Sequence, residues 1–99
     1  MRGLTIVVAS ADPARFDAAL TLANAQAALG GRTRLYLHDA AVTLPLTGTL
    51  MDAARDLGVE LIACQTALDT HGVPLPGGAE GGGMVGLLAT LDDDRLVFA

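Results

Sequence analysis

The sequence contains no lysine; its six cationic side chains are Arg2, Arg15, Arg32, Arg34, Arg55 and Arg95. That absence removes Schiff-base, P-loop-lysine and Ser-Lys chemistry together. Tryptophan is missing too, and the aromatics amount to Phe16, Tyr36 and Phe98. Eleven acidic residues against six basic ones give a formal net charge of −5, which withholds the basic footprint that a nucleic-acid surface needs. A single cysteine, Cys64, cannot close an internal disulfide, so nothing points to an oxidising compartment. No apolar run approaches the ~18 residues of a membrane span. The opening Met1-Arg2-Gly3 followed by Leu4 to Ala9 imitates a secretory signal, but it is short and carries one charge. It reads better as a buried strand. The expectation is a cytoplasmic protein with no nucleic-acid and no membrane partner.

What the chain does have is apolar mass: 52% of its 99 residues are hydrophobic and 17% are charged. Disordered chains show the opposite balance. Residues 1–99 suit one domain, which would bury roughly two-thirds of the unfolded chain's surface without help from metal or disulfide.

Leu4 to Ala9 is a β-branched apolar run of the kind covered on both faces. Asp12-Pro13 supplies an N-cap acceptor and a first-turn proline, and the following helix runs to about Leu29, where Gly30-Gly31 stops it. Phe16, Leu20, Ala23 and Ala27 form its inward stripe. Ala18, Leu22, Ala25 and Leu29 form a second stripe on the other side, either mere helix formers or a subunit contact. In Thr33 to Leu37, Arg34 and Tyr36 alternate with apolar residues, which predicts an edge strand. A loop from Asp39 through Pro45 precedes a helix near 49–57, with Leu50, Met51, Ala54 and Leu57 inward. Val59 to Ala63 reads as the third strand with Cys64 at its exit, then a short helix from Gln65 to about Thr70. Pro74 to Gly83 reads as a mobile loop, Met84 to Leu91 as the last helix and Arg95 to Phe98 as the final strand. Alternating strands and helices with short Gly-marked turns predict a three-layer α/β/α sandwich on a mainly parallel sheet of about four to five strands.

Cys64 is the candidate for chemistry. Ligands of open parallel sheets bind beyond the carboxyl ends of the strands. A thiol there, opening a helix, faces free backbone N–H groups and the positive dipole end, both of which favour the nucleophilic thiolate. The competing reading is that Cys64 simply packs, since free cysteine is among the most buried residue types. His38, at the second strand's exit, and His71, seven residues past Cys64, are candidates to move a proton to or from that thiol, or else are solvated rim residues. Ser10 and Asp12 flank the same rim. Gly81-Gly82-Gly83-Met84-Val85-Gly86 matches G-x-G-x-x-G letter for letter. It follows a Pro/Gly stretch rather than an evident strand, Glu80 would oppose a phosphate, and no ribose-binding acid stands about twenty residues on. No nucleotide cofactor is therefore expected. One cysteine and two scattered histidines lack metal-ligand spacing, so no metal is expected either. Asp92-Asp93-Asp94 reads as a solvated turn.

Val59 to Ala63 leading into Cys64-Gln65-Thr66, then Gly72-Val73, a Gly-bearing helix and Arg95-Leu96-Val97-Phe98, resembles the DsrE/DsrF-like family of small sulfur-relay proteins. The likeness extends to the opening strand, the Ala-rich helix and the Gly-Gly turn, and so spans nearly the whole chain. Pro74 to Gly83 stands where many members carry a longer segment. The resemblance implies that Cys64 holds sulfane sulfur as a persulfide, that sulfur donor and acceptor proteins are the partners, and that the chain forms a trimer or hexamer. A solitary thiol suits that role, because it cannot resolve itself into an intramolecular disulfide. The alternative is a non-catalytic oligomeric binding or scaffold module in which Cys64 only packs.

Overall fold

In the computed structural model, which describes residues 1–99, Leu4–Val8 forms strand β1 with all five side chains buried. It is the inner strand that the apolar run predicts. On one side it pairs with β2 (Thr33–Leu37) and on the other with β5 (Arg95–Phe98). β3 (Glu60–Cys64) lies beyond β2, and β4 (Ala79–Gly82) lies beyond β3. The five-stranded sheet has the order β4-β3-β2-β1-β5 and every pairing is parallel. The connections are α1 (Pro13–Ala28), a 3-10 turn (Asp39–Thr43), α2 (Thr49–Asp56), α3 (Gln65–His71) and α4 (Met84–Ala89). This is the expected α/β architecture, with strand ends and following helices converging on one edge of the sheet.

Helix α1 begins as its sequence dictates. Asp12 stays extended and its carboxylate accepts from the Ala14 N–H at 2.9 Å, while Pro13 takes the first helical position. Gly30 ends the helix at φ 86°, a conformation that costs glycine little.

The two faces of the sheet are unlike. The first is covered by α1, the 3-10 turn, α2 and α3 around a cluster of 19 buried residues. Ile6, Val8, Leu35, Leu37 and Leu61 point into it from the strands, against Phe16, Leu20, Met51 and Leu68. Each large side chain so buried contributes about 1.5–3 kcal/mol. The second face carries only α4, six residues long, whose Leu87 packs on Val7 and Tyr36. Beside them lies a polar core. Arg34 and Asp94 are buried and stand 3.7 Å apart, and Arg32 approaches the same carboxylate at 3.6 Å. The Thr5 hydroxyl accepts from Arg34 Nε at 3.0 Å and donates to Asp94 Oδ2 at 2.9 Å. Arg34 also donates to the Thr90 hydroxyl and to the Leu87 carbonyl, which ties α4 down. Gly3 leaves room for the Asp94 carboxylate, where a Cβ would collide with it.

Several expectations are corrected here. β2 is central rather than at an edge. Its alternation reflects a buried ion pair and a buried phenol, not solvent. Asp94 belongs to that ion pair, so the aspartate run is solvated only at Asp92 and Asp93. The stretch expected to be a mobile loop contains β4, which pairs with β3 from Leu61↔Ala79 to Cys64↔Gly82. Ala27 is half-buried and Leu57 exposed, whereas Gln26, unmarked by the hydrophobic pattern, is buried. Its amide donates to the Arg2 carbonyl and accepts from Arg95. The second stripe of α1 is exposed, as its position opposite the inward residues requires.

Candidate active site around Cys64

Cys64 ends β3 and is the residue preceding α3, with extended backbone (φ −62°, ψ 114°) and no capping hydrogen bond from its side chain. Two neighbouring strands therefore deliver their last residues to the same edge. Leu37 of β2 pairs with Ala63, so His38 arrives beside Cys64. His38, Asp39, Cys64, Thr66, Ala67 and Thr70 line a shallow pocket of about 160 Å³. Its wall is the first turns of α3 and the start of the 3-10 turn.

Asp39 is held at φ 50°, a left-handed conformation that aspartate tolerates better than most residues. From there its carboxylate meets His71 Nε2 at 3.2 Å, which bridges the 3-10 turn to the end of α3. Beneath the pocket lies Tyr36, two residues before His38 on the same face of β2, fully buried. The two rings stack at 6.3 Å between centroids and 23° between planes. No hydrogen-bond partner meets the Tyr36 hydroxyl. Its polar neighbour is the Cys64 thiol, which packs against the same Val7–Tyr36–Leu87 cluster without a formed hydrogen bond. Burial first, and Cys64 second, hold this phenol well above its usual ionisation range. His38 Nδ1 and Ser10 Oγ are likewise buried without partners.

The structure thus brings Cys64 and His38 into one pocket. His71 is engaged by Asp39 at the pocket's outer side, Asp12 caps α1, and Ser10 lies outside the lining. The glycine fingerprint is also placed differently from its expected loop context. Gly81 and Gly82 belong to β4, and Gly83 opens α4. Packing accounts for the first two. A Cβ on Gly81 would collide with the Gln65 side chain, and one on Gly82 would come within 2.9 Å of Ile62. Both neighbours flank Cys64, so close approach of β4 and α3 to β3 is what these glycines permit. Tyr36 was not singled out from sequence. The available signal was its spacing, since a residue two before His38 on a strand shares its face.

No protein-family model matches the chain, and no curated protein matches it. Among solved structures, the crystal structure of the ychN protein from E. coli is similar over 100% of both chains, with a TM-score of 0.81 and 26% sequence identity. The chain shares that protein's DsrE-like, five-stranded α/β fold.

Proposed function

We propose that the protein is a sulfur carrier that holds sulfane sulfur as a persulfide on Cys64. The observation that carries this reading is a half-buried thiol at a parallel-sheet edge, opening into a small pocket and backed by a buried phenol without a partner. The DsrE-like fold is consistent with such a role. In loading, the Cys64 thiolate attacks the outer sulfur of a donor persulfide. A new S–S bond forms, the donor's S–S bond breaks, and the donor leaves as a thiolate. In unloading, an acceptor thiolate attacks the outer sulfur on Cys64, and the electron pair of the broken S–S bond returns to Cys64 Sγ. No external oxidant or reductant enters either step. His38 is the pocket's proton-handling group, and the pocket suits a sulfur atom rather than a large substrate.

Donor and acceptor proteins are the partners this reading requires, and it includes a homo-oligomer. In support, the exposed Leu22 and Leu29 with Ala25 border Leu4, Arg95 and Val97 at the uncovered β5 side, in a groove of about 310 Å³. Continuous apolar surface of that kind fits a second copy of this chain.

Incubation with polysulfide, followed by mass spectrometry, tests the assignment. Wild type should gain sulfur-atom masses and Cys64→Ser none. Equal loading of the two would remove the proposal and favour a scaffold in which Cys64 only packs.

A further inference from the structure

Tyr36 occupies a position where phenylalanine would fill the same space with less conflict. A buried hydroxyl left unpaired destabilises a fold, because it has lost water and gained nothing in exchange. On the second face Arg34, Thr5 and Asp94 satisfy one another, whereas the Tyr36 hydroxyl and His38 Nδ1 are buried without partners. Cys64 packs against the Val7–Tyr36–Leu87 cluster, two residues beyond the Ile62 that pairs with Tyr36, so the sulfur of the proposed carrier cysteine is a polar neighbour of that hydroxyl.

We propose that the Tyr36 hydroxyl is a catalytic hydrogen-bond donor to Cys64 Sγ, recruited when that sulfur carries negative charge. The role in transfer rests on the sulfur-carrier reading, whereas the hydrogen bond itself does not. Cys64 Sγ is charged twice in the cycle, as the attacking thiolate in loading and as the leaving thiolate in unloading. A neutral thiol is a weak acceptor, which accounts for the absence of a formed bond in the resting structure. A thiolate is a strong one, and charge-assisted bonds are about twice as strong as neutral ones. The phenol keeps its proton throughout, so it consumes nothing and the sulfur transfer remains balanced. Its ring is fixed by Val7 and Leu87 on one side and by His38 on another, so little reorganisation accompanies charge development. The remaining ionisable groups around the pocket are His38, whose buried Nδ1 also lacks a partner, and Asp39 and His71, which bond each other.

Tyr36 is the only tyrosine and the chain has no tryptophan, so near-UV absorbance and tyrosine emission report this one hydroxyl. In wild type the tyrosine absorbance should shift to the red as Cys64 ionises, and Cys64→Ser should show no such shift below pH 9. Tyr36→Phe should slow iodoacetamide alkylation of Cys64 at pH 7, and persulfide release to glutathione, by about tenfold each; one lost donor to a full oxyanion is worth more. The same variant should melt a few degrees higher, because the orphaned hydroxyl is gone. Unchanged alkylation and release rates, a tyrosine spectrum blind to Cys64, or a lowered melting point would each overturn the inference. Failure of the two ideas is separable. A wild type that takes up no sulfur, yet keeps the spectral coupling and the alkylation difference, would end the carrier reading and leave the hydrogen bond standing. Normal loading with identical rates in Tyr36→Phe would do the reverse.

Discussion

The two faces of this sheet follow different rules. The first is a close-packed layer of 19 buried apolar residues under three helices and a 3-10 turn. The second lies under one short helix and mixes Val7, Tyr36 and Leu87 with a buried Arg34–Asp94 pair and the Cys64 thiol. Hydrophobic burial tolerates many sequences of the right volume, so the first face holds the molecule together without dictating chemistry. Buried polar groups demand specific partners. The second face therefore fixes where α4 sits and places an acceptor-poor phenol against a sulfur.

The largest effect expected of a substitution tests the polar side of that contrast. Asp94→Ala leaves Arg34 buried without its carboxylate and should cost about 3–5 kcal/mol in chemical denaturation, whereas replacing both partners (Arg34→Met with Asp94→Leu) should recover most of the loss. A double variant as unstable as the single one would show that the pair contributes more than mutual neutralisation. The apolar side is tested next. Leu35→Ala, at the centre of the first face, should cost about 3–5 kcal/mol. Leu87→Ala should cost about 2 kcal/mol, because the six-residue α4, with Val85 and Leu88 exposed, can settle into the space. Equal losses at the two positions would break the proposed asymmetry between faces. The smallest effect is one of pH. The folded chain keeps Tyr36 protonated above its ordinary value of 10.0, while the unfolded chain ionises there. The unfolded state then binds fewer protons, so stability should be intact below pH 10 and fall by about 1.4 kcal/mol per unit above it. Phenolate absorbance in a native alkaline titration checks this; a normal phenol curve in folded protein would contradict it.

Much of the first face was legible from sequence, because local signals suffice for it. The β-branched run of β1, the Asp12-Pro13 start and Gly30 stop of α1, and the exit of β3 at Cys64 all follow from neighbours within a few residues. The second face was not legible, for a physical reason. Alternation in β2 arises equally from an edge strand in water and from a central strand whose polar side chains find Asp94, Thr5 and Cys64. Deciding between them requires knowing that Asp94, far along the chain, folds back beneath Arg34. β4 was missed because Ala79-Glu80-Gly81-Gly82 has no strand propensity. It pairs because glycine lets its backbone lie against Gln65 and Ile62. Cys64 and His38 could be placed on one rim from topology alone, but the empty hydroxyl of Tyr36 is a property of three-dimensional packing.

The pairing of β1 with β5 has a consequence for how the chain comes to fold. Leu4 is registered with Arg95 and Val7 with Phe98, so the inner strand waits for a partner far along the chain. Until then β1 can be flanked on one side only, and its other edge presents unpaired backbone with Ile6, Val7 and Val8 alongside. Parallel pairings between distant segments also form slowly, since each must close a long loop. Nascent and refolding chains should therefore pass through a species with a sticky open edge. In it, α1, β2 and the first-face core can assemble early, while the Arg34–Asp94 clasp closes only when the segment leading into β5 has returned to the sheet.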